Sequence, residues 1–182
     1  MQYLYHHLPT DLKGATLHPL NSLKSKFPDV YEREVSKYVG REHITQQRIP
    51  LLDNCLWNDV IFMTALNPQE LFDERRRAGW HSTTPRQYIK IDPNTLDPAK
   101  LGIFLFKIKE DDLSSTLEAS DFAAYNYDDL KTYAILPQAT KDYFKYELDK
   151  GEPHIKLLYR YIPHILYKGT IDISNAEIIT VY

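Results

Sequence analysis

Val60-Ile61-Phe62-Met63-Thr64-Ala65-Leu66-Asn67-Pro68-Gln69-Glu70-Leu71 reads as a strand that feeds directly into a helix. The apolar run from Leu56 to Thr64 has strand character. Asn67 then offers an N-cap oxygen, and Pro68 fills the first helical position, where its missing N–H costs nothing. Glu70 stands three residues after the cap. The helix is expected to reach Ala78 and to stop at Gly79. Asn58 and Asp59 are disfavoured inside strands, which points to a strand end or a buried hydrogen-bond network around Trp57.

Working outward, Gln2 to Leu8 reads as a first strand. Alternation puts Tyr3, Tyr5 and His7 on one face and Leu4, His6 and Leu8 on the other. A helical turn is expected over 19–24. A helix begins at Pro28 and is ended by Gly40, and an irregular polar loop covers 41–56. Further strands are expected at 87–92, 101–108, 164–173 and 177–181, the last two joined by a Ser-Asn turn. The continuous apolar stretch of 101–108 marks a strand central in its sheet. Thr140 is the expected cap of a helix running to Lys150, and 121–135 fits either state. The fold class is therefore α+β, one compact domain with a mixed or mainly antiparallel sheet of five or six strands and three or four helices. A polar surface loop is expected near 109–120.

Composition limits the function classes. The chain has 182 residues, enough to bury roughly 70% of its unfolded surface without staples. A lone cysteine, Cys55, cannot make an internal disulfide and reads as a small core residue. The net charge of −3 does not support a general nucleic-acid binder. The start lacks the basic and apolar stretches of a secretory signal, and no apolar run approaches the ~20 residues of a membrane helix, so a soluble, cytoplasmic protein is expected. Tyrosine is abundant, 14 against 7 phenylalanines. Tyr143, Tyr146, Tyr159, Tyr161 and Tyr167 crowd the last quarter, which suggests a tyrosine-rich surface for a protein partner.

The candidate chemistry lies in a few side chains. His6 and His7 are adjacent on a strand and face opposite ways, so they cannot share a metal. Either could bond a ribose hydroxyl or act as acid or base. Arg41 and Arg48, in a loop that also holds Glu42 and His43, have the planar fork that suits phosphate. Arg75, Arg76 and Arg77 fan around a helix and make no single patch. No metal-binding spacing is present.

Three segments, Tyr5-His6-His7-Leu8-Pro9, the strand-to-helix unit at 59–71, and the closing strands at 164–181, together resemble the ADP-ribosyltransferase superfold. In particular they resemble the DNA-targeting ADP-ribosyltransferase toxins and the RNA 2′-phosphotransferases. The resemblance covers about a third of the chain. It implies that NAD is the cofactor, that a first-strand histidine (His6 or His7) contacts its ribose, and that an arginine or second histidine handles phosphate. Arg41 or Arg48 would fill the latter role, with Tyr125 or Tyr127 stacking on a ring. It further implies transfer of ADP-ribose to a macromolecule. Where the toxins carry a glutamate at the start of the penultimate strand, this chain has His164. Glu147, Glu152 and Glu177 are the carboxylates that could replace it.

Overall fold

The computed structural model describes residues 1–81, 84–108, 116–152, 155 and 157–182. The fold is α+β, with antiparallel pairing throughout the described strands. Strand β1 (Leu4–His7) is followed by β2 (Thr16–Leu17), helix α1 (Leu20–Lys26) and helix α2 (Pro28–Val35). Pro28 opens α2, as its fixed φ favours. The polar stretch that follows is a short helical turn at Glu42–Gln46 and a small hairpin, β3 (Arg48–Ile49) with β4 (Cys55–Leu56).

Strand β5 (Ile61–Met63) is shorter than expected. Trp57–Asp59 forms a helical turn instead, because the Asp59 carboxylate accepts the Leu56 N–H at 2.8 Å. The same carboxylate accepts from Asn21 of α1 at 2.7 Å in a half-buried network next to the buried Asn58. Helix α3 (Pro68–Arg77) follows, capped as its sequence predicts: the Asn67 side chain accepts the Gln69 N–H at 3.0 Å.

The remaining strands are β6 (Arg86–Ile91), β7 (Leu101–Phe104), β8 (Phe122–Ala124), β9 (His164–Tyr167), β10 (Ile171–Asp172) and β11 (Glu177–Val181). Between β8 and β9 lie a single turn, α4 (Leu130–Tyr133), and α5 (Gln138–Asp149). Thr140 does not cap α5. It is buried inside the first turn, and its hydroxyl donates to the Arg160 carbonyl at 2.8 Å. Of the surface loop expected near 109–120, residues 109–115 lie outside the described residues, while Thr116 and 118–120 are exposed.

The expected single sheet is divided in two. One sheet has the order β1-β6-β11, the other β5-β9-β7-β8, with β7 central as its apolar run predicts. The closing strands are not a hairpin: β9 belongs to the four-stranded sheet, β11 to the three-stranded one, and β10 pairs with β2. The main core lies between the sheets. Leu4, Ile89 and Ile91 come from one, and Ile61, Met63, Ile103 and Ile165 from the other. The opposite face of the four-stranded sheet carries Phe62, Phe104, His164 and Leu166, as period-2 alternation requires. The β3–β4 hairpin covers one end of that face, with Leu52 lying against Gly102. The other end is left open as a cleft.

The tyrosines of the last quarter do not make a surface. Tyr143 and Tyr167 are buried, and Tyr159 donates its hydroxyl to Tyr88 at 2.7 Å; of the five, Tyr146 is exposed. Cys55 is a core residue, as expected. No helix among the described residues is long and apolar enough to cross a membrane.

Gly79 ends α3 at φ +101, and a Cβ there would meet the Leu148 side chain at 2.8 Å. Gly79→Ala is therefore expected to cost about 1–3 kcal/mol, seen as a lower midpoint in urea with unchanged slope.

Candidate functional site

The two sheets touch through one antiparallel bridge. The Tyr5 N–H donates to the Thr64 carbonyl at 2.8 Å and the Thr64 N–H to the Tyr5 carbonyl at 3.0 Å. In a continued ladder the next bonded pair would join His7 to Phe62. The ladder stops instead, and the Phe62 carbonyl lies 2.7 Å from Nδ1 of His6. A carbonyl oxygen can only accept, so Nδ1 carries the proton and Nε2 of the neutral ring keeps its lone pair. His6 thus closes the seam with one nitrogen and has a free acceptor in the other. Burial, more than any neighbour, lowers its pKa, which keeps the ring neutral at pH 7.

Beside this seam, between the α1–α2 segment and the aromatic face of the four-stranded sheet, lies a cavity of about 550 Å³. That lies within the range of small-molecule and cofactor sites. Its floor is aromatic. Trp57 and Phe62 have ring centroids 4.7 Å apart, and Trp57 meets Phe104 edge-on at 5.2 Å. His164, paired with Phe104 across β7 and β9, sits among Phe62, Phe104 and Phe106 at about 6 Å from each. Its Nδ1 donates to the Ile162 carbonyl at 2.7 Å, which again leaves Nε2 as acceptor. Burial drives its pKa down to about 4.

One wall is basic. Helix α2 and the turn after it bring Arg33, Lys37, Arg41 and His43 to the cavity, with Glu34 as the carboxylate lining it among the described residues. Glu34 is engaged by Lys37 and lies 3.6 Å from Arg33, and Arg33 also pairs with Asp11. Arg41 donates to the Lys37 carbonyl at 2.9 Å, a neutral partner, and has no ion pair among the described residues. A positive wall on a chain of net charge −3 is a local feature of this helix.

The cleft brings together His6, Arg41 and His164 of the residues singled out from the sequence. The others lie elsewhere. His7 faces the opposite side of β1, as alternation dictates, and its ring sits edge-on to Tyr88 at 5.5 Å. Arg48 is on the exposed side of the β3–β4 hairpin and donates to the Asn54 carbonyl at 2.8 Å. Tyr125 packs against the main core just after β8, and Tyr127 is exposed in the next turn. Neither lines the cavity, whose aromatic lining is Tyr38, Trp57, Phe62, Phe104 and Phe106. Sequence reasoning missed these as stacking rings because Phe62, Phe104 and Phe106 read as ordinary strand residues and Trp57 as part of a polar strand end. The three candidate carboxylates are also remote from the cleft. Glu147 is buried in α5, Glu177 pairs with Lys90 across β11 and β6, and Glu152 follows α5.

Two bulky residues at this site have left-handed backbone, Phe106 (φ 47) and Tyr161 (φ 65). Such conformations cost on the order of 1–3 kcal/mol each and gather at functional sites. Comparison with family models, curated proteins and solved structures finds no match for this chain.

An unfolded imidazole titrates near 6.5 and His164 near 4. Between these values the unfolded chain binds a proton that folded His164 refuses. Its contribution is therefore complete above about pH 6.5 and falls away as the pH drops towards 4. The expected loss is on the order of 3 kcal/mol. His164→Gln should flatten that part of a stability profile measured by denaturant titration at successive pH values. A residual slope of the same sign remains, because burial also lowers the pKa of His6 and His18.

Proposed function

We infer that the cleft binds an NAD-like dinucleotide. The observation that carries this reading is the meeting, in one cavity, of three chemistries such a ligand needs. An aromatic floor offers π-faces to a base, and the Nε2 lone pairs of His6 and His164 can accept from ribose hydroxyls. Arg41, whose hydrogen bond goes to a backbone carbonyl, answers the charge of a pyrophosphate. The resemblance of the first strand, the strand-to-helix unit and the closing strands to ADP-ribosyltransferases supports the same ligand. The inward-facing tyrosines do not favour the alternative of a tyrosine-rich docking surface.

Calorimetry and thermal melting with NAD test the reading. Binding with a raised melting temperature is expected, and neither heat nor stabilisation at millimolar NAD would sink it. His6→Asn is the informative variant. The Asn amide can still donate to the Phe62 carbonyl from the place of Nδ1, while Nε2 is gone. Affinity should fall at least tenfold with stability changed by less than about 1 kcal/mol. Arg41→Ala should weaken binding and reduce its dependence on salt.

The finer reading is transfer of ADP-ribose to a macromolecule. The bond between the ribose C1′ and the pyridinium nitrogen breaks, and its electron pair leaves with nicotinamide. An oxygen or nitrogen of the acceptor then bonds to C1′ and gives up a proton. A carboxylate beside the ribose stabilises the positive charge that develops, and we assign that role to Glu34, which lines the cleft and pairs there with Lys37. Glu34→Gln is expected to lower nicotinamide release at least a hundredfold while NAD affinity changes by less than about threefold. Equal release by both proteins would remove Glu34 from the reaction.

A further inference from the structure

We propose that Phe106 is the stacking ring of the cleft, its face lying against a planar nitrogen heterocycle of the bound dinucleotide. This inference rests on the dinucleotide reading above.

Strands β7 and β9 are paired as far as Phe104 and His164. Beyond that rung the backbones turn sharply. Phe106, two residues past the rung on one strand, and Tyr161, three residues before it on the other, both take left-handed conformations. This region is unfavourable for a side chain with a Cβ, and more so for a bulky one. Glycine or asparagine would adopt it at lower cost, yet the chain places an aromatic ring at each position. What the strained backbone achieves is a position. The Phe106 ring folds back to 5.3 Å from Phe104 and 5.9 Å from His164, and it lines the cavity.

The ring is supported from behind. Tyr161 meets it edge-on at 5.9 Å, and the Arg160 guanidinium lies 4.9 Å from the Tyr161 ring and 4.7 Å from the Tyr143 ring. Phe106 is therefore braced by aromatic neighbours on one side and half-exposed to the cavity on the other. An apolar face held in this way, beside the His164 imidazole and in the same cavity as His6, suits a flat heterocycle. Nicotinamide and adenine both have that shape, and stacking on an aromatic side chain strengthens binding several-fold to a hundredfold per base.

The test compares Phe106→Leu with Phe106→Tyr. Leucine keeps the apolar bulk on the same backbone and loses the π-face, whereas tyrosine keeps it. The wild type and both variants are titrated calorimetrically with NAD, with ADP-ribose, which lacks the pyridine ring, and with nicotinamide mononucleotide, which lacks adenine. Phe106→Leu is expected to weaken NAD at least tenfold, and Phe106→Tyr by less than about threefold. The fragment that weakens in parallel with NAD identifies the stacked ring. If Phe106→Leu does not fold, as judged by its melt, Phe106→Met replaces it, since methionine adapts to irregular gaps. NAD bound by the leucine or methionine variant as tightly as by the wild type overturns this inference alone. A wild type that binds no NAD overturns the dinucleotide reading and this inference with it.

Discussion

The hydrogen bond from His6 to the Phe62 carbonyl decides the shape of this protein. The β1 and β5 strands meet in a single bridge at Tyr5 and Thr64, and a regular ladder would have zipped the two sheets into one. A zipped sheet has no gap. Because the side chain of His6 takes the carbonyl that His7 would otherwise have bonded, the strands separate without leaving that buried acceptor unmade. The same ring then stands at the mouth of the gap it creates. Structure and site chemistry therefore depend on one residue with two nitrogens, one committed to the backbone and one not.

Two consequences follow from this division. The core between the sheets is continuous and aliphatic, so the fold does not depend on the cleft being filled. The second face of the four-stranded sheet has a different cover at each end. The β3–β4 hairpin packs Ile49 and Leu52 over Leu166, whereas the end with Phe62, Phe104 and His164 is roofed by the polar elements around α2. An aromatic surface under a charged wall is costly to hydrate well, which is the usual physical setting of a ligand site. Neutral imidazoles are consistent with it: burial keeps His6 and His164 uncharged, so the positive charge at the cleft comes from Arg33, Lys37 and Arg41.

The backbone carries further signs of a built site. Phe106 and Tyr161 occupy conformations that neither would choose alone, and their rings hold one another in place. Asp59 ties α1 to the Trp57 turn through two charge-assisted bonds, which fixes both the floor and the helix that precedes the basic wall. Rigid placement of this kind lowers the ordering cost of binding.

Local rules were enough for much of the chain. Asn67-Pro68 announced α3, Pro28 announced α2, and alternation along Leu4–His7 correctly separated His6 from His7. The α+β class and the central place of β7 were also legible, because capping, turn chemistry and period-2 burial act over a few residues. Sheet pairing was not. Whether β9 and β11 join each other or two different sheets depends on contacts between segments far apart in sequence, and the pattern of each strand is the same either way. For that reason Arg48 and Arg41 looked equivalent in one loop, yet Arg41 lines the cleft and Arg48 lies on the exposed side of the hairpin. Tyr125 and Tyr127 looked like stacking rings, while Trp57, Phe62, Phe104 and Phe106 formed the floor. The sequence alone determined which residues could do chemistry at a cleft. Only the tertiary structure decided which of them share one, because the cleft is made where the α1–α2 segment lies over the outer face of the four-stranded sheet.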